Sequence, residues 1–138
     1  MSAVAFLDTN IIIRYLTRDD PDKAARAYAL LQAVEHNQRQ VTTTEAVLAE
    51  VVYVLSSKRL YNIARSVIRQ RLLDILALPG LRLANKSVYR RALDLYASIN
   101  LDFTDCLIVA RMEHAKITDV FSFDRDFEQI PGITRIEP

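Results

Sequence analysis

The sequence contains few of the residues on which many specialised sites depend. Its 138 residues include one cysteine, Cys106, which excludes an internal disulfide and a cysteine-rich zinc site and favours a reducing compartment. Only two glycines are present, Gly80 and Gly132, whereas phosphate-cradling loops need several closely spaced glycines. Nucleoside triphosphates and nicotinamide cofactors are therefore not expected as ligands.

Long apolar runs and an excess of charge of one sign are also missing. No stretch reaches the roughly 18 apolar residues that a membrane helix needs, and Asp8 interrupts the apolar segment near the N-terminus. Because the formal net charge is +1, any attraction for nucleic acid must come from a local basic patch. The composition is 51% hydrophobic and 25% charged, which predicts one globular cytoplasmic domain over residues 1–138.

Short apolar runs alternate with helical spacing along the chain. This alternation predicts an α/β fold with a parallel sheet covered on both faces. Strands are predicted at 3–7, 40–42, 81–84, 120–123 and 133–136, and helices at 9–17, 20–37, 42–58, 62–77, 87–99 and from 102 onward. The predicted helix caps are Asp20 before Pro21, Thr42 in a capping box with Glu45, Asn62 and Asp102.

Four acids stand among apolar residues, in segments that are predicted to be buried. They are Asp8, Glu50, Asp105 and Asp124. Buried acids are normally paired or bound to a cation. Asp8 and Asp124 follow predicted strands, and open α/β sheets bind ligands at the carboxyl ends of their strands. No residue three or four positions from Glu50 is charged, so Glu50 has no partner along its helix.

Less specific interpretations of these acids stay open. Asp105 would also be stabilised by the dipole of the helix that it begins, and Glu50 would also suit an exposed position. Asp74 and Asp94 are flanked by apolar residues too, but each has an arginine at helical spacing and is interpreted as an ion-paired surface residue.

A divalent cation is the best explanation for such a group of acids. Two carboxylates about 4 Å apart repel each other by about 4 kcal/mol, which a cation relieves. Oxygen ligands without His or Cys select Mg²⁺, with Mn²⁺ as a substitute. Because one or two such ions activate water and stabilise charge on a phosphoryl group, phosphodiester hydrolysis is the predicted reaction.

Several neighbouring polar residues could support this chemistry. Asn10 and Ser122 each lie two residues from an acid and could orient it, although Asn10 would also suit a helix cap. Asp126 would share a face with Asp124 if the strand continued that far. Arg14 and Arg125 are candidates for contact with a phosphate, and solvated surface charge is their other interpretation.

The same segments resemble the sequence blocks of PIN-domain ribonucleases across nearly the whole chain. The blocks are FLDTNIIIRYL at 6–16, VLAEVVYVL at 47–55, LDFTDCLIVA at 101–110 and FSFDRDF at 121–127. The departures are Ser122 where threonine is common and Cys106 where a small residue such as alanine is usual. The resemblance implies a PIN-like three-layer sandwich, in which a central twisted parallel sheet of about four to five strands has helices on both faces. It also implies that the four acids are the catalytic metal ligands of an endoribonuclease.

The length of one bare domain is similar to that of VapC toxins of type II toxin-antitoxin modules. This resemblance implies an RNA substrate, a homodimer and a small antitoxin that inserts a basic segment into the acidic cleft. A guanidinium group can take the place of a cation between carboxylates.

Two other functions are weighed against the nuclease. A phosphatase or receiver domain with an aspartyl-phosphate is disfavoured, because Asn10 stands where a second aspartate would be needed and no lysine lies near the last strands in the required place. A PIN-like module that only binds a basic segment of a partner stays open, and it would not need Mg²⁺.

Overall fold

The structure, a computed structural model, describes residues 3–138. The chain divides into two compact units, Met1–Lys86 and Ser87–Pro138. The first unit has two strands and four helices, which are β1 (Ala5–Phe6), α1 (Thr9–Thr17), α2 (Pro21–Glu35), β2 (Val41–Thr42), α3 (Glu45–Ser56) and α4 (Arg65–Leu76). The second unit contains α5 (Lys86–Ser98, which begins at the boundary), α6 (Phe103–Ala115), β3 (Asp119–Phe121), a 3₁₀ helix (Arg125–Gln129) and β4 (Thr134–Ile136).

Both units contain a pair of parallel strands, so the predicted α/β class is confirmed. β1 pairs with β2, with Ala5 opposite Val41, and β3 pairs with β4, with Val120 opposite Arg135. These pairs form two two-stranded sheets in the described residues. The strands are shorter than predicted, and of the predicted strand 81–84 only Leu81 pairs, through a parallel bridge to Val41.

Of the caps predicted for α2, α3 and α4, Asp20 is confirmed, whereas Thr42 and Asn62 are wrong. Asp20 caps α2 as predicted, because its side chain accepts a hydrogen bond from the backbone N–H of Lys23. Thr42 does not cap α3, since it lies in β2, and Thr44 caps that helix instead. Asn62 has a φ of 49°, a left-handed conformation that is unsuited to an N-cap, and α4 begins later, at Arg65.

Each unit buries its own apolar side chains. In the first unit the deeply buried side chains include Ile12, Leu31, Val34, Val51, Leu55, Ile68, Leu72 and Leu76. In the second unit the corresponding residues are Ala92, Leu93, Leu101, Cys106 and Val109, with Tyr96 and Phe103 in edge-to-face contact. None of the helices within residues 3–138 is both long enough and apolar enough to cross a membrane.

Candidate functional site

In the first unit the turn from β1 into α1 presents Asp8. Leu7 is buried and donates its N–H to the carbonyl of Thr42, which fixes the end of β1. Asp8 follows in an extended conformation as the N-cap residue of α1, but its side chain forms no capping hydrogen bond. Its carboxylate is exposed and does not cap the beginning of α1.

Glu50 is brought to the same turn by α3. Its Oε2 accepts a hydrogen bond from the hydroxyl of Thr9 at 3.0 Å. Thr9 is the first residue of α1 and is buried, so the hydroxyl is held in place by packing. Thr9 was not predicted as a site residue, although its position directly after Asp8 could have indicated that it lies close to the acids. The structure thus places Glu50 beside the residue that follows Asp8.

The expected burial of the acids is wrong for three of the four. Asp8, Glu50 and Asp124 are exposed, and Asp105 is partly buried. Their apolar neighbours in sequence turn inward, as Leu7 and Val51 do, while the carboxylates stay hydrated. Burial therefore does not explain Asp8, Glu50 and Asp124, and Glu50 occupies an exposed position, as its alternative interpretation allows.

In the second unit the first turn of α6 holds a partly buried acid among other acids. Asp102 is the N-cap residue, without a side-chain capping bond, and Asp105 lies in the first turn. Burial raises the pKa of Asp105, and the negative charges of Asp124, Asp102 and Asp126 raise it further. The structure thus brings Asp105 within electrostatic range of both acids of the 121–127 segment.

Asp124 has a structural role that the sequence analysis did not predict. Its Oδ1 accepts the N–H of Asp126 at 2.8 Å and caps the 3₁₀ helix. Its own N–H donates to Oγ of Ser122 at 3.0 Å, so Ser122 orients the backbone of Asp124 and not its carboxylate. Because β3 ends at Phe121, the strand does not continue far enough to place Asp124 and Asp126 on one strand face.

The remaining predicted residues lie at the surface. Asn10 is the second residue of α1 and is not its cap, because Asp8 occupies that position. Arg14 binds Asp19 at 2.9 Å, which leaves its guanidinium only partly available to a ligand. Arg125 is 79% exposed and lies 3.7 Å from Glu128, a weak surface ion pair.

The donor chemistry of these residues fits a hard divalent cation. Carboxylate oxygens are the ligands that Mg²⁺ and Mn²⁺ prefer. The pKa of Asp105 is raised first by its partial burial and further by the negative charges of neighbouring acids. Among residues 3–138, no group of three or more His, Cys, Asp or Glu side chains is close enough to hold a metal ion. These residues therefore match such a cation in the chemical type of their ligand atoms and in their negative charge.

Comparisons with known proteins identify a family. The family model described as PIN domain matches residues 5–133. Among solved structures, VapBC2 from Rickettsia felis bound to a DNA fragment from its promoter contains a chain that is similar to this one. The two chains share 16% sequence identity over 98% of each, with a TM-score of 0.38. No curated protein is significantly similar in sequence.

Proposed function

Because this chain belongs to the PIN domain family, whose members are generally nucleases, we propose that it is an Mg²⁺-dependent endoribonuclease. The observation that supports this reaction best is the partly buried Asp105, whose pKa is raised by its burial and by the negative charges of Asp124, Asp102 and Asp126. Like charges are brought together here at an energetic cost, and a divalent cation is the ligand that offsets it. Phosphodiester hydrolysis is the chemistry for which proteins commonly use such acid-held cations.

The proposed metal ligands are Asp8, Glu50, Asp105 and Asp124, with Mg²⁺ as the cofactor and Mn²⁺ as a substitute. When bound, the cation supplies an activated water and charge stabilisation at the phosphoryl oxygens. The Thr9 hydroxyl orients Glu50, and the Asp126 N–H orients one oxygen of Asp124. Because these hydrogen bonds reduce the freedom of the carboxylates, they lower the entropic cost of binding the ion.

Asn10, Ser122 and Asp126 are proposed as supporting residues, and Arg14 and Arg125 as RNA contacts. Asn10 and Arg14 lie on α1 with the Asp8 N-cap, which supports a role close to that acid. Ser122 supports the segment through the N–H of Asp124. Arg125 is exposed and only weakly paired, so it can turn towards a phosphate at little cost.

We further propose that the protein is a VapC-like toxin. The support is the match of the PIN domain model to residues 5–133, together with the sequence blocks described above. This proposal includes a single domain over 1–138, a homodimer, a cytoplasmic location and a small antitoxin. The antitoxin would place a basic segment against the acids in the absence of RNA.

The test is cleavage of single-stranded and structured RNA with Mg²⁺, with Mn²⁺ and with a chelator. We expect cleavage that requires the cation and falls more than about 100-fold in Asp8→Asn, Glu50→Gln and Asp105→Asn, because each change removes a charged ligand. Asp74→Asn is the matched control, since Asp74 is an exposed acid that interacts with Gln70. Circular dichroism checks that each variant is folded.

Two results would overturn the proposal. One is full activity in all three ligand variants, and the other is cleavage that persists in the chelator. If the wild type neither cleaves RNA nor binds Mg²⁺ in calorimetry, the binding module becomes the better interpretation of the exposed acids.

A further inference from the structure

A cavity of about 400 Å³ lies along α1 and α2 in the first unit. Arg14, Lys23 and Arg26 contribute its charged lining, and among residues 3–138 no acid lines it. We infer that this α1–α2 cavity binds one nucleotide of a single-stranded RNA, an inference that rests on the proposed nuclease function.

The cations of the cavity are available to an anion to different degrees. Arg14 is held by Asp19 at 2.9 Å, whereas Arg26 pairs with Asp22 across one helical turn. Both members of the second pair are more than 70% exposed, so water screens it and a phosphate can replace it. Lys23 is exposed, and it is its backbone N–H, not its ammonium group, that Asp20 binds.

The rest of the lining is apolar and suits a base. Ala27 is buried, and Ile11 and Leu30 are half-buried. The volume lies in the range of small-molecule sites, which is roughly 300 to 1,000 Å³. A nucleotide uses both parts of this lining, because its phosphate meets the cations while its base covers the apolar side chains. A peptide of acidic residues alone would satisfy only the cations.

The position of the cavity links it to the proposed reaction. Asn10 borders the cavity and lies two residues after Asp8 on the same helix. Since a helix rises about 1.5 Å per residue, Arg14 lies about 9 Å from Asp8 along the axis of α1. An RNA strand that passes Asp8 can therefore place a neighbouring nucleotide in the cavity.

The test measures RNA binding without cleavage, in the Asp8→Asn background. The probe is a fluorescently labelled single-stranded RNA of roughly ten nucleotides, followed by anisotropy over a range of salt concentrations. Lys23→Gln with Arg26→Gln removes two cavity charges and keeps good helix formers. Lys58→Gln with Arg59→Gln is the matched control, because it removes two exposed charges of the same unit outside the cavity.

We expect the cavity pair to weaken RNA binding about tenfold and to reduce the salt slope by about 1 to 2. The control pair should change affinity less than about threefold. Equal losses in both pairs would overturn the inference, because they would indicate general attraction to positive charge. A poly-glutamate peptide of the same length serves as a second probe. The inference would also be overturned if this peptide bound as tightly as RNA and lost the same affinity when Lys23 and Arg26 are replaced.

A second arm tests the base. An abasic strand of the same length should bind the wild-type cavity more weakly than the complete RNA, and Leu30→Asn should remove most of this difference. No difference between the two strands in the wild type would contradict the nucleotide assignment and leave a plain phosphate site.

The failure of this inference is distinguishable from failure of the nuclease proposal. In the otherwise wild-type protein, the cavity pair should raise KM for RNA cleavage while kcat stays unchanged, because binding is lost equally in the ground and transition states. Cleavage with an unchanged KM in the cavity pair would overturn the assignment of RNA binding to the cavity, and the nuclease proposal would stand. Absence of cleavage in the wild type would reject the nuclease.

Discussion

Asp105 shows at the scale of one residue how competing electrostatic effects are resolved. Its place in the first turn of α6 is favoured by the helix dipole, by about 0.3 to 1 kcal/mol. Partial burial and the charges of Asp124, Asp102 and Asp126 act in the opposite direction. The raised pKa indicates that burial and repulsion outweigh the dipole, so the ionised carboxylate destabilises the fold.

We predict that Asp105→Asn stabilises the metal-free protein at neutral pH by a few tenths of a kcal/mol, the usual size for such positions. The reason is that asparagine keeps the shape of the side chain and removes the repelled charge. Urea unfolding in the presence of a chelator measures the difference in the free energy of unfolding between Asp105→Asn and the wild type. With Mg²⁺ at 100 times its Kd the order should reverse, since binding adds about 2.7 kcal/mol to a competent site. A metal-free variant that is less stable than the wild type would contradict the prediction.

At the scale of elements, the 3₁₀ helix Arg125–Gln129 and α1 each depend on an aspartate. Asp124 caps the 3₁₀ helix through the N–H of Asp126. Beyond the end of α1, Asp19 accepts hydrogen bonds from Tyr61, Thr17 and Arg14, which connects this end of the helix to the segment between α3 and α4. The carboxylates of Asp19 and Asp124 differ in their roles, because only Asp124 is also a proposed metal ligand.

Two variants of Asp124 separate its two roles. Asp124→Asn should keep stability within about 0.5 kcal/mol, since asparagine caps as well as aspartate does, but it should lose metal-dependent cleavage. Asp124→Ala should lose cleavage and also about 0.5 to 2 kcal/mol of stability. Urea unfolding and RNA cleavage of the same preparations measure both quantities. Equal stability of the two variants would show that the cap contributes nothing.

The Asp19 contact predicts a specific response to acid. The hydrogen bond from Tyr61 is the largest cause that lowers the pKa of Asp19, from its usual 3.8 to about 2. A lowered pKa contributes stability that is present above 3.8 and is lost as the pH falls through about 2. Tyr61→Phe should therefore show a smaller fall in melting temperature across this window than the wild type.

Melting curves at a series of pH values provide the measurement. Tyr53→Phe is the matched control, because Tyr53 is an exposed tyrosine of the same unit and should leave the acid response unchanged. An identical acid response in Tyr61→Phe and the wild type would show that this hydrogen bond does not set the pKa.

At the scale of the whole molecule, the prediction of a single domain requires that the two compact units unfold together. Cys106 reports on the second unit, because it is fully buried and its thiol contacts the carbonyl of Leu101. Four of the six helices belong to the first unit and contribute much of the helical signal in circular dichroism.

We predict that a thiol reagent reacts with Cys106 only after global unfolding. In a urea series, the midpoint of Cys106 labelling should coincide with the midpoint of helix loss, as for a two-state domain. Cys106→Ser is the control for the specificity of the reagent. Labelling at clearly lower urea would show that the second unit opens first, which contradicts the prediction of a single domain.

The parts of the fold that could be predicted are those determined by local residue patterns. α1 was predicted over residues 9–17, as found, and Asp20 was identified correctly as a cap, because periodicity and cap chemistry act within a few residues. Thr42 was assigned wrongly as a cap, because the chain stays extended beyond β2 and α3 begins only at Glu45, after its cap Thr44. The 3₁₀ helix was missed, because β3 ends earlier than its apolar pattern indicates.

The sequence by itself determined which acids stand out, the parallel α/β class and the resemblance to the PIN domain family. These follow from residue identity and local order, which the chain carries before it folds. Only the tertiary structure decided that Glu50 is exposed and bound by Thr9, and that Asp105 is the acid whose charge is repelled. Exposure, hydrogen-bond partners across 41 residues and the summed field of neighbouring charges depend on positions in space, which no local pattern specifies.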